Sequence, residues 1–318
     1  MAAYLGVDLG ASNMRAAVTD GSARTLGKAK RGTPTGPDGR AVERAILDLV
    51  RAAASEASVD PAGIDAAAIA SFGPLDLATG TVTSPANLPG IDRIRLQVPL
   101  EEELAGAPVH VHNDAAAGVI GERFFTDPIP DDVVYLTISS GIGAGVAVDG
   151  AVLRGWDGNA AEVGHFVVDP AGRRTCGCGR DGHWEAYCSG ENIPDYARDL
   201  HAAEPVETDL PLSDHTFTAA DVFAAADEDP LADLVIDRIA DWNAIGVTNV
   251  VHAYAPLVVA LGGAVATRNP DLVVEPIKER IDALVFTGVP EVRLASLGED
   301  AVVRGAVASA ITGGTGER

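Results

Sequence analysis

At 318 residues and 47 % hydrophobic content the chain has length for two domains and apolar material for a substantial core, which excludes wholesale disorder. Its formal charge of −23 repels phosphate backbones, so nucleic acid is excluded as an expected partner. Only Lys28, Lys30 and Lys278 are lysines; acidic excess with so little lysine suits a protein in molar salt, where screening removes self-repulsion, and a halophilic source is expected.

The chain opens MAAYLGVDLG, with no basic region ahead of its apolar run, and no apolar stretch is long enough to span a bilayer. A cytoplasmic protein with no membrane partner is expected. YLGVDLGASNMRAAVTDG (4–21) reads as strand, glycine turn, strand, and YLTISSGIGAGVAVDG (135–150) repeats the style two residues shorter. The pair predicts an internal duplication, two β-hairpins with glycine-rich tips. Between them, AVERAILDLVRAAASEA (41–57) has apolar residues at helical spacing. A strand over 66–72, a turn-rich segment over 73–92, a helix near 98–105, a strand over 108–114 and a helix from about 115 follow. All three cysteines crowd into RRTCGCGRDGHWEAYCSG (173–190), and 203–232 is acidic and loop-rich with a helix near 219–226. The remainder predicts a helix over 238–254, a buried strand over 257–266 carrying Gly262-Gly263, and a capped helix over 298–311. Strands alternating with helices predict an α/β fold with mixed sheets, divided near 114–118 so that each half carries one hairpin.

Three groups of residues can carry chemistry. The tips LGASN (9–13) and SSGIGAG (139–145) are plain hairpin turns or cradles whose backbone N–H groups grip anionic oxygens. Asp8, just before the first tip, is placed to hold Mg²⁺. A dinucleotide fingerprint fails, because the third glycine after Gly141 and Gly143 would fall on Val146, and no Gly-Lys-Ser/Thr completes a Walker loop. Asp114, closing the strand VHVHND, is either a helix cap or a general base at the carboxyl end of a strand. His165, Cys176, Cys178 and His183 suit a closed tetrahedral zinc site, although C-x-C-x₄-H is not a standard finger and separate structural cysteines are the alternative. A C-x-C disulfide is disfavoured by strain and by a reducing cytosol; Cys188 falls outside the spacing and reads as a small buried residue.

Taken in order, these segments resemble the ROK family (repressors, open reading frames, kinases) of sugar kinases over nearly the whole chain. VDLGASNMR (7–15) is similar to the opening D-x-G-[GA]-[ST], and SSGIGAGVAVDG (139–150) to the second phosphate segment, with Ser139 in place of its first glycine. SFGPLD (71–76), SPANLPG (84–90), VHNDAAAG (111–118), EVGH (162–165) and CGCGRDGHWEAYCSG (176–190) match the sugar-side and metal segments. The resemblance implies an actin-like ATPase (ribonuclease H-like) fold of duplicated βββαβα domains with an interdomain cleft. It places the domains at 1–117 and 118–318, the second carrying the zinc segment, and its C-terminal helix packing back on the first. It implies Asp114 as catalytic base toward the sugar 6-hydroxyl and Asn87, Asn113, Glu162, His165 and Glu185 as sugar ligands. Asp8, Gly10, Ala11, Ser12, Asn13, Ser140, Gly141, Gly143, Gly262 and Gly263 would face ATP and Mg²⁺. His165, Cys176, Cys178 and His183 would hold a structural zinc, His183 standing where the family keeps a cysteine.

GHWEAYCSG most resembles glucokinase-like members, so phosphorylation of glucose from ATP is expected, with polyphosphate as an alternative donor and fructose, mannose or an N-acetylhexosamine as alternative acceptors. The partners implied are a hexose, a nucleotide and a second copy of the chain in a homodimer. The family's repressor branch is disfavoured, since the first phosphate strand begins at residue 4 and leaves no room for a preceding DNA-binding helix-turn-helix. A non-catalytic sugar sensor is disfavoured by Asp114 and both glycine loops.

Overall fold

The computed structural model describes residues 2–36, 38–85 and 88–316. β1 (Tyr4–Leu9), β2 (Asn13–Thr19) and β3 (Thr25–Gly32) form an antiparallel meander, and α1 (Gly39–Glu56) crosses to β4 (Ala66–Ser71). Short β5 (Leu75–Asp76), β6 (Thr81–Thr83) and β7 (Arg93–Arg95) make a side sheet; α2 (Gln97–Glu103), β8 (Val109–Asn113) and α3 (Asp114–Phe125) follow. The main sheet has the order β3-β2-β1-β4-β8, with β1, β4 and β8 parallel.

The second sheet repeats this order. β9 (Val133–Ile138), β10 (Ile142–Val148) and β11 (Ala151–Val152) are its hairpin strands, and α4 (Glu185–Cys188), α5 (Ile193–Ala203), α6 (Ala219–Ala224) and α7 (Pro230–Tyr254) lie in the long crossover. β12 (Val258–Gly262), α8 (Ala264–Arg268), α9 (Pro270–Ile281), β13 (Glu291–Leu294) and α10 (Ala301–Ile311) complete the chain. Its order, β11-β10-β9-β12-β13, matches the first position by position, with β9, β12 and β13 parallel. This is the duplicated α/β architecture of the actin-like ATPase fold.

By packing, the chain divides into Met1–Asp131 with Gly145–Ala160 and Asp300–Arg318, and Asp132–Ala144 with Ala161–Glu299. The 117/118 position expected as a boundary falls inside α3. In the first unit, α1 buries Val42, Ala45, Ile46, Leu49, Val50 and Ala53 on one stripe against the sheet, the i, i+3, i+4 pattern of its sequence. α10 belongs to this unit and packs on β1, β4 and α3. In the second unit, α7 buries Val235, Ile239, Ala244, Val247 and Val251 and packs against α5 and α9.

Two expectations need adjusting. The helix predicted over 238–254 begins at Pro230, because Asp229 caps it through the Leu231 and Ala232 N–H groups and proline fits the first turn. The C-terminal helix lacks a side-chain cap: the Asp300 carboxylate pairs instead with Arg15 Nη1 at 3.3 Å. Among the described residues no helix is long and apolar enough to cross a membrane.

Candidate active site

In the first unit the β1–β2 tip is fastened from two sides. The Gly10 N–H donates to the Asn13 carbonyl at 3.0 Å, Thr33 Oγ1 donates to the Gly10 carbonyl at 2.6 Å, and the Thr33 N–H donates to the Ser12 carbonyl at 3.0 Å. Ala11 and Ser12 are thus held at a fixed turn, and Asn13 starts β2. Asp8 sits opposite Arg15 in the hairpin register. Burial pushes the Asp8 carboxyl up to about 7; Arg15 pulls against that, while Asp114 and Asp300 add to it.

β8 ends at Asn113, whose Oδ1 accepts from the Ala116 N–H at 2.6 Å and caps α3. The Ala116 N–H is therefore taken by Asn113, leaving the Asn113 NH₂ to donate, and Asp114 accepts from the N–H of its neighbour Ala115. The Asp114 carboxylate is solvent-accessible yet crowded by protein atoms; desolvation raises it above the ordinary carboxylate range against the opposing Ala115 N–H at 2.8 Å. The two carboxyls electrostatically linked here both stand above their usual range, which suits one to exchange a proton near neutrality. A divalent cation beside Asp8 would offset the same repulsion, so the donor set fits Mg²⁺. Asn87 lies outside the described residues.

In the second unit, Ser140 and Gly141 form the tip between β9 and β10, closed by the Ser139 N–H on the Gly141 carbonyl at 2.9 Å, and Gly143 lies within β10. Glu162 precedes a single 3-10 turn, Val163–His165, whose His165 N–H donates to the Glu162 carbonyl at 3.1 Å. His165, Cys176, Cys178 and His183 offer ligand atoms all within 4.8 Å of one another. Cys176 Sγ stands 3.8 Å from His165 Nδ1, and Cys178 Sγ 3.3 Å from His183 Nδ1. A tetrahedral zinc with bonds of about 2.3 Å to sulfur and 2.0 Å to nitrogen separates such atoms by roughly 3.5 Å. Burial lowers the His183 imidazole, helped by His165, so it stays neutral and able to coordinate, while burial pushes the Cys176 thiol up to about 11. A cation is what would convert that thiol to a thiolate. The residues fit a zinc-type metal.

Glu185 opens α4 beside this cluster, with Cys176 Sγ 3.8 Å from Oε1. Gly262 and Gly263 have a packing reason for being glycine: a Cβ on Gly262 would meet the Tyr135 ring at 2.8 Å, and one on Gly263 the Ile138 backbone. Cys188 is buried with its Sγ toward the Ile239 carbonyl at 3.5 Å, and none of the three cysteines is in a disulfide. Two participants escaped sequence reading. Arg15 was findable, because a tip over 10–12 pairs positions 8 and 15; Asp300 was not, because it reaches Asp8 only through tertiary packing.

The ROK family model matches residues 4–312. A glucokinase of Pyrobaculum calidifontis is 35 % identical over 311 residues, spanning 98 % of this chain and 95 % of that protein. The structure of a ROK hexokinase from Thermus thermophilus superposes with a TM-score of 0.81 at 33 % identity, covering 98 % of each chain. That of a ROK family glucokinase from Streptomyces griseus, in complex with glucose and AMPPNP, gives 0.77 at 30 % identity over 98 % of this chain and 99 % of that one.

Proposed function

Because the chain belongs to the ROK family, we propose that it is an ATP-dependent glucokinase that transfers the γ-phosphoryl group to the glucose 6-hydroxyl with Asp114 as general base. It is a hexose kinase; the choice of glucose is supported by full-length relatives that are glucokinases. The observation that carries the role of Asp114 is local. Asn113 takes the helix cap, and desolvation raises the carboxyl left over toward the range where a base works at neutral pH.

In this reading Asn113, Glu162, His165 and Glu185, with Asn87 as a further ligand, hold the sugar through its hydroxyls, each offering an acceptor or donor that a ring of hydroxyls can pair. A sugar lacking one partner leaves a buried polar group unpaired and is rejected. Gly10, Ala11, Ser12, Asn13, Ser140, Gly141 and Gly143 line the phosphates, and Gly262 and Gly263 pass the adenosine. The 6-hydroxyl oxygen forms a bond to the γ-phosphorus as the bond to the β,γ-bridging oxygen breaks. The hydroxyl proton passes to an Asp114 Oδ, and ADP departs with the bridging oxygen. Asp8 would hold Mg²⁺, which when bound neutralises charge on the phosphate oxygens. His165, Cys176, Cys178 and His183 would hold a structural zinc that fixes the loop ahead of Glu185. A cytoplasmic homodimer adapted to high salt completes the proposal, supported by the resemblance and by the charge of −23.

ADP release measured over a hexose panel tests it. Glucose should give the highest kcat/KM, and Asp114→Asn should lose roughly 10²–10⁴-fold in kcat while keeping glucose affinity. Absence of hexose-dependent ADP release, or near-normal turnover in Asp114→Asn, would refute the assignment.

A further inference from the structure

The tip of the second glycine hairpin is bonded to the segment that carries Glu185. The Ile142 N–H donates to Glu185 Oε2 at 2.8 Å. The Gly190 N–H donates to the Ser139 carbonyl at 2.7 Å and the Glu191 N–H to the Ser140 carbonyl at 3.3 Å. On its other side the Ile142 carbonyl lies against Gly164, between Glu162 and His165. One residue of a loop read as phosphate-binding therefore touches both segments read as sugar-binding, bonding to Glu185 through its N–H and lying against Gly164 with its carbonyl and Cβ. The Ile142 amide is thus occupied by a carboxylate in this structure.

We propose that the Ser139–Ile142 tip is a positioning element for Glu185, so that sugar affinity depends on the geometry of the phosphate loop even when no nucleotide is bound. This rests on the reading of Glu185 as a sugar ligand. A carboxylate at the end of three rotatable bonds has many orientations, and a charge-assisted hydrogen bond to a fixed backbone N–H selects one. The other oxygen, Oε1, which stands 3.8 Å from Cys176 Sγ, is then presented to hydroxyls in a set direction, together with what remains of the first. Coupling of this kind is reciprocal: whatever sugar does to the order of the tip, an ordered tip does to sugar.

Gly141 gives the test its handle. A Cβ there would stand 2.7 Å from Glu185 Oε2; apart from the neighbours Ser140 and Ile142, no other described residue has an atom within 4 Å of it, and Gly141 does not sit at positive φ. Gly141→Ala thus displaces the far end of one flexible side chain and spares the fold. Glucose affinity is measured by calorimetry without nucleotide for wild type, Gly141→Ala, Glu185→Asp, Glu185→Ala and the Gly141→Ala/Glu185→Asp pair. Gly141→Ala should weaken glucose about tenfold or more. In the Glu185→Asp background, where the shorter side chain withdraws from the methyl, the same change should cost less than about twofold. Losses that simply multiply, or glucose binding in Gly141→Ala within about twofold of wild type, would overturn the positioning role while leaving Glu185 as a ligand if Glu185→Ala binds poorly. Unchanged binding by Glu185→Ala would overturn the ligand assignment and this inference together. Hydrogen exchange on the wild-type protein covers the case of a variant that fails to fold. Glucose alone should slow exchange in the peptide spanning Ser139–Gly143, and no change there would also overturn the proposal.

Discussion

His112 lies one residue before the Asn113-Asp114 pair, and its titration tests how firmly that strand end is seated. It is 3 % exposed, and its Nε2 lies 2.7 Å from Oγ of the fully buried Ser309 on α10. Burial pushes its pKa from 6.5 down to about 3, with Arg154 and His110 lowering it further. The unfolded chain then binds a proton near pH 6.5 that the folded chain refuses, so this contribution to stability is complete above pH 6.5 and is lost as pH falls from there toward about 3. Between about pH 7 and about pH 4.5 the loss integrates to about 2.5 kcal/mol. Asp8 and Asp114 act in the opposite sense, since raised carboxyls contribute stability at low pH that disappears as pH rises through their folded values. The comparison must therefore be made between proteins rather than along one curve. His112→Gln keeps an amide near Ser309 and removes the titration. Urea unfolding of both proteins, without ligands, should show the variant gaining on wild type by about 2.5 kcal/mol across that range. Parallel pH profiles would show that His112 takes up its proton in the folded state and that the strand end is open to water.

Metal, salt and packing give three more tests. Purified protein should carry about one equivalent of zinc, and Cys178→Ser or chelation should lower both the melting temperature and glucose affinity; less than half an equivalent in preparations made without chelator would argue against the site. With 46 acidic against 23 basic residues, the melting temperature should climb through a KCl series toward molar salt; full stability in dilute buffer would remove the halophilic reading. Gly246 on α7 lies flat against the Trp184 indole, whose Nε1 donates to Asn243 Oδ1 at 2.9 Å. Gly246→Ala should cost about 1–3 kcal/mol by overpacking and, because Trp184 precedes Glu185, weaken glucose as well; a variant as stable as wild type would mean that the indole moves freely.

What the sequence made legible followed period and punctuation. The α1 stripe, the two glycine-tipped hairpins and the strand leading to Asn113-Asp114 are local patterns, and each appears within a few residues of its expected place. α7 starts eight residues before the expected helix. Leu231, Ala232, Val235 and Ile236 already carry the helical spacing, but the acidic Asp227-Glu228-Asp229 and Pro230 ahead of them read as the end of a loop, whereas Asp229 and Pro230 are the helix's cap and first turn. The site divides in the same way. His165, Cys176, Cys178 and His183 could be grouped because ligand chemistry is carried by side-chain type, and their donor atoms do converge. The Asn113 cap could not be told from an Asp114 cap, since either residue satisfies the first free N–H groups of a helix, and only the backbone course decides. The Ile142–Glu185 bond had no signal at all, because every non-proline residue owns the same N–H.

The histidine at position 183 is best understood through the backbone that delivers it. Val167 and His183 form a β-bridge, with the Val168 N–H donating to the Gly182 carbonyl at 2.9 Å and the Trp184 N–H to the Phe166 carbonyl at 2.9 Å. These bonds set the two imidazoles side by side, ring centroids 5.1 Å apart, before any ion is considered. The intervening turn closes on itself through the Cys176 N–H to the Arg180 carbonyl at 2.7 Å, which brings both thiols over the imidazoles. Behind it, buried Asp169 accepts from Tyr187 Oη at 2.7 Å and from the Ala171 N–H at 3.0 Å, tying the loop to the body of its unit. A loop organised by its own hydrogen bonds tolerates a change of donor atom at one corner, because the ligand's direction is inherited from the bridge and not from the metal. An imidazole there also adds no anion to a chain already carrying −23. A histidine where the resemblance implies a cysteine would thus alter what such a site asks of an ion while leaving Trp184 and Glu185, the next two residues, where the backbone puts them.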